Sequence, residues 1–290
     1  MRFDPENKRV LIRQSWLGDY ILCPQRARYG LALPSMRRGS DATAIGTGVH
    51  AGIESVLNST AGTYDEFLEV VQSSVAMEMD KDIKRTEISA DPDKMNACVQ
   101  AMAQAWWDDI RPLVPTGGQT EYKFQSPTGM FAKDGTEIWF EGTIDYVAPD
   151  GSLWDWKTAS RAYYAKDKHK QSHQASVYVD ACRTLGLVPD GDEPTPFRFG
   201  VMVRQEKPKA QIVTVLRGRE QIDWIRRQTR SVVDSAMGAW GTQDWAMNDT
   251  SALCSSKWCD YWTLCKGAHW TDSSLELPNQ TVTSVTLENR

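Results

Sequence analysis

Apolar residues recur at helical spacing over residues 44–57, where Ile45, Val49, Ile53 and Val56 mark one face of an amphipathic helix. Upstream, residues 15–30 read as a helix with an interruption. Ser15 supplies a cap, and Pro24 opens a second turn carrying Arg26, Arg28 and Tyr29. A loop rich in Arg, Ser and Gly then runs to Asp41. Residues 64–82 and 93–111 are expected as two more helices, the second holding Trp106 and Trp107, before Pro112 and Pro115-Thr-Gly-Gly close the region. The period then falls to two. Residues 119–126 alternate briefly. Residues 137–148 alternate for longer, with Ile138, Phe140, Ile144 and Tyr146 on one face and Trp139, Glu141, Thr143 and Asp145 on the other. Asp150-Gly151 is a hairpin turn, and residues 152–158 are the returning strand. A helix over 168–185 ends at Gly186, strands follow over 197–204 and 211–216, and a last helix covers 220 to about 240. This order predicts an α/β protein with a central mixed sheet flanked by helices.

Composition narrows the class. The chain has 290 residues, 41% of them hydrophobic and 24% charged, which fits a soluble globular protein of one large domain or a core with appendages. No apolar run of about 18 residues suggests a membrane span. Met1-Arg2-Phe3-Asp4-Pro5 has no apolar signal core, so a cytoplasmic location is expected. Neither Gly-x-Gly-x-x-Gly nor a phosphate-binding Gly-x-x-x-x-Gly-Lys loop is present, which removes support for dinucleotide binding and for a P-loop motor. The net charge of −5 argues mildly against a nucleic-acid partner, but its distribution does not. Residues 157–230 carry 15 Lys+Arg and 8 Asp+Glu, a basic half compatible with a polyanion.

The sharpest chemistry lies in the hairpin. Asp155 and Lys157, two apart on a strand, project from one face, and the turn folds Asp145 toward them. Two carboxylates and an ammonium converging at a sheet suit a hard divalent cation and a phosphodiester. An isolated Asp-x-Lys is usually just a solvated strand pair. Here Leu153, Trp154 and Trp156 surround it, and burying carboxylates among them without a cation would be costly.

Gly142-Thr-Ile-Asp145 followed by Asp155-Trp-Lys157-Thr resembles the PD-(D/E)XK nuclease signature in its RecB-type form. Gly46-Thr-Gly-Val-His50-Ala-Gly-Ile-Glu54 resembles that family's Gly-x-x-x-His-x-x-x-Glu helix, and Gln174-Ala-Ser-Val-Tyr178 its Gln-x-x-x-Tyr helix. Leu22-Cys23-Pro24, with Arg26, Arg28 and Tyr29, is similar to its N-terminal Cys-Pro element. The resemblance implies a restriction-endonuclease-like core. His50, Asp145 and Asp155 would hold Mg²⁺ or Mn²⁺, Lys157 would act on the attacking water, and Gln174 and Tyr178 would position DNA. Glu54 would orient the site from the helix face it shares with His50. Gly46 and Gly48 would let the start of that helix approach the sheet.

Six cysteines occupy positions 23, 98, 182, 254, 259 and 265. Cys23 with Cys254, Cys259 and Cys265 makes four thiols, the number a [4Fe–4S] cluster or a structural zinc requires. RecB-type nucleases with an iron–sulfur staple, among them AddB-type subunits and CRISPR-associated single-strand exonucleases, show the same split of one early and three late. The Cys-x4-Cys gap from Cys254 to Cys259 is longer than their usual Cys-x2-Cys, whereas Cys259-x5-Cys265 fits. A cluster is the expectation, with zinc as the alternative, joining the N- and C-terminal segments. Cys98 and Cys182 fall on apolar helix faces and are expected to be core residues. Arg161, Tyr163, Tyr164, Lys166, Lys168 and Lys170 combine cations with rings, which suits an unpaired strand.

The resulting expectation is one nuclease domain over 1–270, with a helical insertion at about 60–115 and a loose polar tail over 271–290. Its function would be metal-dependent exonuclease action on single-stranded DNA or DNA ends. The alternatives are an endonuclease or a processing partner in a CRISPR integration complex, and a non-cutting DNA-binding subunit. A helicase, recombinase or integrase partner and the oligomeric state are left open by the sequence.

Overall fold

The computed structural model describes residues 1–268, so the tail expected over 271–290 lies outside the described residues. A seven-stranded mixed sheet forms the centre. Its strands are β1 (Arg2–Asp4), β2 (Arg9–Ile12), β3 (Gln119–Phe131), β4 (Glu137–Val147), β5 (Leu153–Ala159), β6 (Thr195–Val203) and β7 (Ala210–Arg217). They lie in the order β1-β2-β4-β5-β6-β7, and β3 pairs with β4. The β2–β4 and β5–β6 pairs are parallel; the others are antiparallel. The expected mixed sheet flanked by helices is what the chain forms.

Strand β4 is where the sheet divides. Strand β3 covers one of its edges from end to end. On the other edge β2 pairs only with the start, Arg9↔Glu137 to Ile12↔Phe140, and β5 only with the end, Tyr146↔Trp154 and Val147↔Leu153. Residues 141–145 of β4 therefore have no strand partner there. Beyond the turn, β5 turns away to pair with β6 along its whole length. The result is a fork with Asp145 on one prong and residues 155–157 on the other.

Helices cover both faces. Helix α1 (Gln14–Leu22) and helix α2 (Pro24–Ala32) meet at Cys23, whose extended backbone interrupts the helix at the expected place. Helix α3 (Asp41–Leu57) is capped by Ser40, which accepts from the Thr43 amide. Helix α4 (Tyr64–Met79) and helix α5 (Pro92–Ala105) follow. The expected single helix over 168–185 is instead α6 (Ala165–Gln171) and α7 (His173–Thr184), because the Ser172 hydroxyl caps a new start by accepting from the Ala175 amide. Helix α8 (Arg219–Thr242) is the last long one.

Two apolar cores result. One joins Trp16, Leu17, Phe140, Ile144, Tyr178 and Ile225; the other joins Ile45, Val49, Phe67, Trp106, Tyr146 and Trp156. Helix α3 reaches the sheet at Gly46, where a Cβ would lie 3.2 Å from Thr158 Oγ1 on β5. Gly48 does not serve that approach. Its missing Cβ would stand 2.4 Å from Val75 Cγ2, so Gly48, like Gly52, makes room for α4. The short β1–β2 hairpin and the extension of β3 past residue 126 are additions to the expected pattern. Among the described residues no helix is long and apolar enough to cross a membrane.

Candidate active site

The fork fixes Asp145 directly: its Oδ2 accepts the Trp156 backbone N–H at 2.7 Å, a bond that replaces the missing strand ladder. Helix α3 brings His50 over the same point. Its Nε2 donates to the Trp156 carbonyl oxygen at 2.8 Å, and Nδ1 lies 3.5 Å from Asp145 Oδ2. Burial first, and then the nearby Lys157 ammonium, lowers the His50 pKa below its ordinary value against the pull of Asp155. The imidazole is therefore neutral, the form that can donate a lone pair to a metal.

On the other prong Asp155 is almost fully buried, at 1% exposure. Lys157 Nζ stands 2.5 Å from its Oδ2, and Gln174 Nε2 on α7 donates to its Oδ1 at 2.6 Å. Burial works against the Lys157 charge, but the Asp155 and Asp145 carboxylates outweigh it and raise its pKa. Tyr178, one turn beyond Gln174, is buried and packs edge-on against Phe124 at 5.5 Å. Its phenol is pushed up to about 12 by burial and by Asp155, while a hydrogen bond with Gln174 pulls the other way. Gln174 and Tyr178 thus meet the site through Asp155 rather than from an open face.

A third carboxylate completes the group. Glu121 on β3 offers an oxygen that lies, with one His50 nitrogen and one Asp145 oxygen, in a set all within 4.8 Å of one another. Glu121 takes an uncommon positive φ of 46° at this position. Burial, then the charge of Glu54, raises its pKa, with the Lys123 ammonium pulling the other way. Asp145 is pushed up to about 8 by burial and by Asp155. A cluster of acids with so little neutralising charge fits a hard divalent cation, which would supply the charge they lack. Of the expected His50, Asp145 and Asp155, the structure brings the first two together with Glu121, while Asp155 turns toward Lys157 and Gln174. No motif pointed to Glu121; it stands between the pairs Thr120↔Tyr146 and Tyr122↔Ile144, which brings it opposite Asp145.

The remaining sequence candidates fall in two places. Tyr163 is half-buried, with Lys168 Nζ 3.9 Å from its ring centroid, while Arg161, Tyr164, Lys166 and Lys170 are exposed just beyond β5. Cys23, Cys254, Cys259 and Cys265 all line one cavity of about 580 Å³ at the α1–α2 junction. Burial, and the other thiols after it, raises the pKa of Cys265; Cys254 responds in the same direction, with Lys266 opposing. Cys182 is buried, and Cys98 is half-buried on α5.

A sheet forked at an Asp and an Asp-x-Lys, covered by a histidine-bearing helix, defines a nuclease core. The profile of the PD-(D/E)XK nuclease superfamily matches residues 14–266, and the chain belongs to that superfamily. A crystal structure from Eubacterium rectale described as "Putative exonuclease" is similar in fold, with a TM-score of 0.54 at 12% identity over 88% of this chain and 92% of that one. The structure of SSO0001 aligns at 11% identity over 91% of this chain and 88% of that one, with a TM-score of 0.36. No curated protein sequence matches this chain.

Proposed function

We propose that the protein is a metal-dependent DNA exonuclease acting on single-stranded DNA or on free DNA ends, with residues 1–270 as one nuclease unit. The observation that carries this reading is the convergence at one fork of His50, Glu121 and Asp145 with the Asp155–Lys157 pair. His50, Glu121, Asp145 and the Trp156 carbonyl would hold Mg²⁺ or Mn²⁺, with Asp155 able to join them by turning from Lys157. Such a cation polarises a phosphoryl oxygen and makes water a better nucleophile. Lys157 stays charged and donates hydrogen bonds, so it stabilises negative charge developing on the phosphate and orients the attacking water. Gln174 holds Asp155 in place, and Tyr178 holds Gln174. Arg161, Tyr163, Tyr164, Lys166, Lys168 and Lys170 would track an unpaired strand through phosphate contacts and stacking. The helices over about 60–115 would gate entry of a strand end, which is where an exonuclease preference would arise.

The same reading places a [4Fe–4S] cluster on Cys23, Cys254, Cys259 and Cys265. It is supported by four soft donors around one cavity. Its role is structural, since phosphodiester hydrolysis needs no electron transfer. Strands labelled separately at each end, incubated with Mg²⁺ and with Mn²⁺, test the activity. Stepwise shortening from one end is the expected result, whereas internal fragments would indicate an endonuclease and intact strands a binding subunit.

A further inference from the structure

The sheet face beside the metal trio continues past it. Glu121, Lys123 and Gln125 are exposed along β3, and the register sets Lys123 against Thr143 and Gln125 against Glu141 on β4. Steps of two residues along a strand are about 6.8 Å, close to the interval between successive phosphates of an extended strand. One step from the Glu121–Asp145 position, this face opens into a cavity of about 370 Å³ bordered by Arg13, Lys123, Gln125, Glu141 and Thr143.

The charges in that cavity are unbalanced in a specific way. Glu141 is nearly buried, at 7% exposure, and is held between two arginines: Arg13 Nε at 3.1 Å and Arg2 at 3.0 Å. Arg2 already supplies a counter-charge, so the Arg13 contact serves to fix a largely exposed guanidinium at the cavity wall. Its two terminal nitrogens make no hydrogen bond among the described residues, and Lys123 makes no ion pair there. A guanidinium, an ammonium, an amide and a hydroxyl then border one opening, which is a donor set for a phosphate oxygen cluster.

The geometry points to a second phosphate position on the β3–β4 face, where Arg13 and Lys123 hold the phosphodiester next to the one at the fork. This rests on the nuclease reading and extends it. Arg13 and Lys123 then hold the strand on the β3–β4 face beside the fork. Glu141 is a positioning residue that acts through Arg13.

The test uses the full chain with Lys123→Gln and Arg13→Gln, singly and together. Among the described residues Lys123 makes no hydrogen bond or ion pair and acts on Glu121 only through its charge, so the first variant is expected to keep the fold; circular dichroism and a thermal melt check this. Binding of a labelled single-stranded oligonucleotide is measured over a salt series with Ca²⁺ in place of Mg²⁺. Each single variant should raise Kd about three- to ten-fold and reduce the slope of log K on log salt, and the double variant should reduce it by about 0.7, the value for one lost phosphate contact on a single strand. In cleavage KM should rise while kcat stays within about twofold, the pattern of lost uniform binding. Replacing phosphates one at a time by neutral methylphosphonates should weaken binding at the position beside the cleaved bond in the parent, less in each single variant, and not in the double variant. A folded Lys123→Gln protein with the parent's Kd, slope and methylphosphonate profile overturns the proposal. If the parent meanwhile cleaves, the nuclease reading survives that result. If the variants lose slope while the parent cleaves nothing with Mg²⁺ or Mn²⁺, the phosphate position stands and the nuclease reading falls.

Discussion

At Asp155 two partners depend on one side chain: the Lys157 ammonium on one oxygen and the Gln174 amide on the other. Asp155→Ala removes both contacts, leaves Lys157 without its nearest counter-charge, and is expected to lower cleavage by at least about 10²-fold, measured as single-turnover rate. A parent-like rate would remove Asp155 from the mechanism. Glu121→Gln tests the third corner. It keeps shape but loses charge, so the Mg²⁺ concentration for half-maximal cleavage should rise about tenfold while the rate at saturating Mg²⁺ recovers most of the parent value. An unchanged metal requirement would return the third corner to Asp155. Asp145, Asp155 and Lys157 were legible in the sequence because a turn and a two-residue strand spacing bring them together, and His50 because its helix resembles the nuclease family's Gly-x-x-x-His-x-x-x-Glu motif. Glu121 was not, since 24 residues separate it from Asp145 and only the β3–β4 register brings their side chains together.

Among the elements, α3 shows most clearly what helix packing demands. A Cβ on Gly52 would meet Val71 Cγ2 at 2.3 Å and Phe67 Cε2 at 2.8 Å, so Gly52→Val should destabilise by about 1–3 kcal/mol in denaturant unfolding through overpacking against α4. The start of α3 is tied to the segment after α4 by Asp41. This fully buried carboxylate accepts from the Thr86 amide and hydroxyl and from the Ser89 amide and hydroxyl. Burial opposes its charge, yet these hydrogen bonds prevail and hold its pKa below the ordinary 3.8. Its contribution is therefore complete above the unfolded-state value and is lost as pH falls through the folded one. The unfolding midpoint should drop on acidification below about pH 4, and Asp41→Asn should flatten that drop while lowering stability at neutral pH by about 1–3 kcal/mol. Equal acid sensitivity in both proteins would assign the drop to other carboxylates. Element boundaries failed where local signals were weak. The three and four residues of β1 and β2 are too short to show a period. The alternation of β3 breaks at Pro127-Thr-Gly129, a bulge with Gly129 at φ +70°, which an edge strand tolerates.

Across the whole molecule, the cysteine-bearing segment is bound to distant parts of the chain. Lys84 pairs with Asp260, Tyr29 packs on Tyr261 at 5.5 Å, and Asn248 donates to the Leu22 carbonyl. An anaerobically purified sample should absorb broadly near about 400 nm if the four thiols hold an iron–sulfur cluster. Cys23→Ser or Cys265→Ser should remove that band and lower the unfolding midpoint by roughly 5–10 °C, the shift a loss of a few kcal/mol produces at this size. A colourless protein containing zinc would replace the cluster with the other four-thiol site.

The sequence by itself determined the class of fold, most helices and strands, and the motif residues of the fork. Those signals are local: period, capping, turn chemistry and short spacings survive in one dimension. Tertiary structure decided which carboxylate stands beside His50 and Asp145, that Gln174 bonds to Asp155, and that Gly48 serves α4 rather than the sheet. It also placed Arg13 beside Lys123, 110 positions later in the chain, on a face that no single segment encodes. The physical reason is the same in each case. Sheet register and helix crossing bring together groups that share no local sequence, and the field at the site is set by those groups together.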